Sequence, residues 1–207
     1  MAKDSGLSAL KSILSNPWFY RFFQYSTGYS SARKVFAREY LRAKPGDALL
    51  DIGCGPGDII EHLPEVEYFG FDVNEKYIQA ARKRFGNRAE FHCGGISDFS
   101  ADDLPRVNIA ISLGVFHHLN DAEIAQNLQL VKSVLKPGGR FIIFDPCYVV
   151  GQSRVAKFII SQDRGKYLKT DDEYRNIAAQ FSENAKVSIR HDLYRFPYTV
   201  IIIECTN

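Results

Sequence analysis

Leu49-Leu50-Asp51-Ile52-Gly53-Cys54-Gly55-Pro56-Gly57-Asp58 is an apolar run that passes directly into three alternating glycines. That order predicts a buried parallel strand followed by a sharp turn and a helix. Glycines there let the backbone approach a ligand closely, and the helix start offers its unpaired N–H groups at the same place. Asp58 is expected to cap the helix. Two phosphate-binding readings are excluded by the neighbours of the glycines. A P-loop needs Lys and Ser/Thr after its last glycine, whereas Gly57 is followed by Asp58-Ile59-Ile60. A dinucleotide fingerprint wants its third glycine where Asp58 stands, and a carboxylate there opposes a pyrophosphate. The expected ligand is therefore not held by phosphate.

A second strand, Tyr68-Phe69-Gly70-Phe71-Asp72, ends on a carboxylate about twenty residues on, the distance at which such folds read a ribose. A glycine turn without phosphate machinery, together with a carboxylate able to accept from both ribose hydroxyls, describes a site for a nucleoside carrying an amino-acid tail. Here the chain resembles the class I S-adenosylmethionine-dependent methyltransferases. The resemblance lies in Asp51 to Gly57, Asp72, Leu113-Gly114-Val115-Phe116-His117-His118-Leu119 and Leu135-Lys136-Pro137-Gly138-Gly139-Arg140-Phe141, within residues 45–146. It implies an α/β fold, doubly wound on a mostly parallel seven-stranded sheet with an antiparallel last strand, and S-adenosylmethionine as cofactor. It also implies cofactor contacts from Asp51, Gly53, Cys54, Gly55, Gly57, Asp72, Val73, Ser112 and Leu113. The family's usual acidic adenine reader is replaced by Gly95, so Ile96 and Ser97, through their N–H groups, or Asp98 are expected to serve instead.

The length of 207 residues suits one domain, and 45% apolar content with a net charge of +2 fits a soluble globular chain rather than a nucleic-acid binder. Cys54, Cys93, Cys147 and Cys205 have neither metal-ligand spacing nor a paired framework, which predicts reduced thiols, no metal and a cytoplasmic location. No apolar run reaches membrane-spanning length and no secretory leader is evident.

Residues 1–44 are expected to be a helical lid, 45–146 the cofactor core, 147–184 a substrate-side insertion and 185–207 a C-terminal hairpin. The lid holds Trp18, Phe19, Tyr20, Phe22, Phe23, Tyr25 and Tyr29, which either pack on the sheet or cover the site. Tyr20, Tyr25 and Tyr29 are the acceptor-side candidates among them. A second helix is expected over Ser31–Arg42, from which the resemblance lets Arg33 reach the methionine carboxylate.

Farther on, helices are expected over 74–85 and after Asn120-Asp121, strands over 89–93, 107–112 and 140–144, and a hairpin from Val187–Asp192 and Tyr198–Cys205 around Pro197. His191 and Arg195 near that turn are expected to be bystanders. His117 and His118 follow the fourth strand and invite a general-base role, because imidazole titrates near neutrality; they equally fit packing beside a cofactor. Asp145 and Tyr148 close the fifth strand as a polar holder and an orienting or deprotonating group. The insertion carries Gln152, Arg154, Lys157, Arg164, Lys166 and Lys169, a set suited to an anionic acceptor or to a solvated face. By resemblance, the absence of Asn/Asp-Pro-Pro-aromatic and Pro-Cys motifs disfavours amide, adenine-amine and C5-pyrimidine targets. The reading is methyl transfer to a small-molecule acceptor, a hydroxyl oxygen above others. RNA or protein methylation through the basic insertion, and non-catalytic cofactor binding, are its alternatives.

Overall fold

The computed structural model describes residues 28–163 and 165–207. Seven strands form the main sheet: β1 (Ala48–Ile52), β2 (Glu67–Asp72), β3 (Ala89–Cys93), β4 (Val107–Leu113), β5 (Leu135–Tyr148), β7 (Lys186–Arg190) and β8 (Val200–Thr206). They lie in the order β3-β2-β1-β4-β5-β8-β7, and a two-residue strand, β6 (Lys169–Thr170), pairs with the end of β5 outside that row. All neighbours run parallel except β8, which is antiparallel to both β5 and β7. The expected mostly parallel sheet with an antiparallel last strand is thus observed.

Strands covered on both faces must be apolar throughout, and β1 is buried at all five positions. Successive side chains point to opposite faces, which divides the core in two. Leu50, Ala110, Ile143 and Ile203 pack on one face with α3 (Asp121–Val134) and α5 (Asp171–Phe181). Leu49, Ile109, Ile142 and Ile202 pack on the other with α1 (Tyr29–Phe36) and α2 (Glu75–Phe85). Asn74 and Asn120 cap α2 and α3, the latter in a reciprocal box with Glu123. The β4–β5 register jumps from Val107–Leu135 to Ile109–Arg140, so the Lys136–Gly139 turn loops out of the ladder as its sequence predicts.

Two expected elements differ. The helix after the glycines is a single 3₁₀ turn, Asp58–His62, entered from Gly57 with no side-chain cap. Asp58 instead lies buried and meets Arg84 at 2.5 Å and Arg33 at 3.3 Å, so its charge is answered by arginines rather than by helix N–H groups. The Ser31–Arg42 helix is α-helical only to Phe36 and widens into a π turn at Ala37–Leu41. The carbonyls of Tyr40 and Leu41 accept from the Arg140 guanidinium of β5 at 3.1 and 2.7 Å, which satisfies the end of that turn.

Candidate active site

Every parallel strand ends on one side of the sheet, where β1 delivers the glycine turn. Gly53, Gly55 and Gly57 all take positive φ (71°, 55° and 75°). A side chain at Gly53 would lie 2.3 Å from Val115 Cγ2, whereas one at Gly55 would meet nothing within 4 Å. The turn is therefore packed on one side and open on the other. Its position is set from β2: Phe71 O accepts from Gly53 N and Cys54 N, and Asp72 accepts from Gly55 N at 2.9 Å and Asn74 N at 2.8 Å. Those two bonds fix the carboxylate while using only half of its roughly four acceptor positions. Val73 beside it is 78% exposed, an apolar surface open next to the carboxylate.

Asp51 is buried and accepts from the Tyr68 hydroxyl. Burial pushes its carboxyl up to about 7, with the Tyr68 hydrogen bond opposing. Its Oδ1, and the Oγ of Ser112 on the neighbouring strand β4, are buried without a hydrogen-bond partner. Cys54 is buried, and desolvation raises its thiol far above the range in which it could ionise. In the loop after β3, Gly95 N donates to Asp98 at 2.7 Å; Ile96 is buried in the core while Ser97 is exposed. Leu113 ends β4 half-buried. The eleven expected cofactor residues thus lie on consecutive ends of β1 to β4.

The loop after β4 carries the two histidines into different surroundings. His117 is buried, with Nδ1 against Asp145 and Nε2 3.1 Å from Asp163. Burial alone would lower its pKa, but the two carboxylates outweigh it and raise the imidazole to about 9. Both ring nitrogens thus face carboxylates, which favours the packing role of His117 over the general-base one. His118 is exposed, its ring centroid 4.1 Å from that of His117. Asp145 is fully buried and also accepts from Phe116 N at 3.1 Å and His117 N at 3.4 Å, so it organises the loop rather than meeting an acceptor. Tyr148 is half-buried, with the Lys157 ammonium 6.0 Å from its ring centroid.

The insertion folds over this loop. Asp163 follows α4 (Arg154–Ser161), Tyr167 N donates to His117 O at 2.9 Å, and a side chain at Gly165 would lie 2.1 Å from His117 Cδ2. Salt bridging to His117 holds the Asp163 carboxyl far below its ordinary range despite burial, and the Tyr198 hydroxyl donates to its other oxygen at 2.9 Å. Lys169 is withdrawn from the basic set: it is buried, its ammonium on the carbonyls of Leu119 and Tyr167. Arg154, Lys157 and Lys166 are exposed. Tyr20, Tyr25 and Arg164 lie outside the described residues. Tyr29 packs edge-on against Tyr194 at 4.8 Å.

Tyr194, Phe196 and Tyr198, an aromatic wall in the β7–β8 loop, were not among the expected site residues. Because β8 is antiparallel, Val200 pairs with Pro146 and this loop falls on the ligand side. A cavity of about 280 Å³ lies between it and the β5–α4 loop, bounded by Val149, Gln152, Ser153, His191, Tyr198 and Thr199.

Comparison with known proteins gives the same placement. Residues 49–139 match the methyltransferase domain family. The chain is 30% identical over 121 residues to a demethylmenaquinone methyltransferase of Symbiobacterium thermophilum, covering 55% of this chain and 47% of that one. It is 31% identical over 112 residues to an O-methyltransferase of Pyrenophora dematioidea, covering 51% and 41%. The chain thus spans less than half the length of either curated relative. Among solved structures, the pyocyanin biosynthetic protein PhzM superposes with a TM-score of 0.68 at 13% identity, over 86% of this chain and 55% of that one. The plantazolicin methyltransferase BpumL, in complex with a monoazolic desmethylPZN analog and SAH, gives 0.62 at 17% identity, over 87% and 84%. Residues 49–139 of this chain therefore carry the methyltransferase domain that the family model describes, on a sheet of the same fold as these solved structures.

Proposed function

We propose that this protein transfers the methyl group of S-adenosylmethionine to an oxygen of a small-molecule acceptor. The observation that carries the reading is the pairing of an open glycine turn with the Asp72 carboxylate, which the backbone fixes with acceptor positions to spare. The residues fit the cofactor: Asp72 accepts from ribose hydroxyls, Val73 offers its exposed surface to adenine, and the unpartnered Asp51 Oδ1 and Ser112 Oγ provide acceptors for an ammonium. Bound there, S-adenosylmethionine supplies a methyl group on a sulfonium. The protein's work is to position the acceptor and exclude water. The Tyr167-to-His117 contact holds the insertion over the reaction loop, and the wall of Tyr194, Phe196 and Tyr198 shapes the acceptor side. With His117 held between Asp145 and Asp163, Tyr148 at the end of β5 is the candidate to take a hydroxyl proton. Names of relatives that act as O-methyltransferases favour oxygen.

The test is calorimetric titration with S-adenosylhomocysteine. The native chain should bind at micromolar concentrations, and Asp72→Ala should bind about 100-fold more weakly, the loss of two hydrogen bonds to a charged group at roughly 1.5 kcal/mol each. Undetectable binding by the native chain would end the proposal.

A further inference from the structure

The ends of β4 and α4 bring three donors together: His117, His118 and Asp163 each offer one ligand atom, and these atoms all lie within 4.8 Å of one another. We propose that they form a binding site for a divalent transition cation of the zinc type. Two imidazoles and one carboxylate are the donor set for such a cation and a poor one for Mg²⁺ or Ca²⁺, which take oxygen. The spacing suits it. Ligand atoms about 2.0–2.1 Å from a tetrahedral zinc stand roughly 3.3 Å apart, and His117 Nε2 lies 3.1 Å from Asp163 Oδ1. The His118 ligand atom lies within 4.8 Å of both of the others.

The outer partners are also in place. Asp145 holds His117 Nδ1, so a bound cation takes the place of the Nε2 proton, which is released to solvent, and the Tyr198 hydroxyl holds the second oxygen of Asp163. A carboxylate behind a ligating histidine is the usual support of a zinc site. Three protein ligands leave a fourth position, on the exposed His118 side, which marks an open site rather than a closed structural one. Its use, which rests on the methyl-transfer reading, is to hold an acceptor oxygen.

Chelator-stripped full-length protein should be titrated with Zn²⁺ against a chromophoric chelator, and with Co²⁺ followed by visible absorption. One equivalent should bind, with Co²⁺ bands of a four- or five-coordinate site. His118→Ala and Asp163→Asn should each weaken binding at least 10-fold, and Asp145→Asn 10- to 100-fold. His191→Ala, a histidine elsewhere on the ligand side, should leave it unchanged. Sub-stoichiometric binding, or affinity that none of the three substitutions alters, overturns the site. S-adenosylhomocysteine titrations of the same samples separate the outcomes: a chain that binds this ligand but no cation loses the metal site and keeps the methyltransferase reading. The reverse keeps the metal site and ends that reading.

Discussion

Replacing Gly53 by alanine tests how the glycine turn is joined to the reaction loop. The backbone at φ 71° costs an L residue roughly 1–2 kcal/mol. The new Cβ would also stand 2.3 Å from Val115 Cγ2, well inside van der Waals contact, and overpacking of this kind costs about 1–3 kcal/mol. Gly53→Ala should therefore destabilise the fold by roughly 2–5 kcal/mol. The clashing atom is a side-chain methyl, and the next Val115 atoms are 3.5 Å away, so Val115→Ala removes the steric part and leaves the backbone part. In a double-mutant cycle read by urea unfolding, Gly53→Ala should cost about 1–3 kcal/mol less in the Val115→Ala background than in the native one. Equal penalties in both backgrounds would refute the packing of Val115 in the histidine loop against the Gly53 turn. S-adenosylhomocysteine affinity should recover in the double variant to the same partial extent.

His117 makes stability depend on pH in chelator-treated protein. Its folded pKa of about 9 exceeds the ordinary 6.5, so the stabilisation is complete below about pH 6.5 and is lost as pH rises through about 9. Some 2.5 pKa units correspond to at most about 3 kcal/mol, measured as the native-minus-His117→Gln difference in urea stability at pH 7 and pH 10; a constant difference would contradict the clamp. Gly165→Ala would place Cβ 2.7 Å from the backbone oxygen of His117, which cannot yield, so Gly165 and Tyr167 must lift from it. Hydrogen exchange of the Tyr167 amide should then accelerate at least 10-fold, and unchanged protection would show that the insertion is not seated on His117 there. Lys169→Met should lower stability by about 1–3 kcal/mol through loss of its contacts to carbonyls, with S-adenosylhomocysteine affinity unchanged; an unaltered unfolding midpoint would return Lys169 to the basic surface.

The β1 glycine turn, Asp72 and the positions of the parallel strands were legible because they rest on local chemistry: apolar runs of strand length, glycines where φ is positive, and a carboxylate at a strand tip. The Asn74 and Asn120 caps were legible for the same reason. Asp58 was misread because capping was inferred from its position after Gly57, while its charge is met by Arg84 twenty-six residues away. The fate of His117 was equally hidden, since its partners Asp145 and Asp163 come from two other segments and only the fold unites them. The signal for the aromatic wall was present in Tyr194, Phe196 and Tyr198. The hairpin that carries them was expected; that the three rings pack on one another beside the β5–α4 loop is visible only in the fold.

The reversed strand β8 divides the molecule into parts that can vary independently. The glycine turn and Asp72 are wired by β1 and β2, whereas the β7–β8 loop enters the ligand side through β8 and shares no ladder with them. Residues 191–199 can therefore be lengthened, shortened or exchanged with those of a relative while the registers of β1 and β2 stay untouched. A graft of that loop is the place to change what is methylated without changing what donates the methyl group.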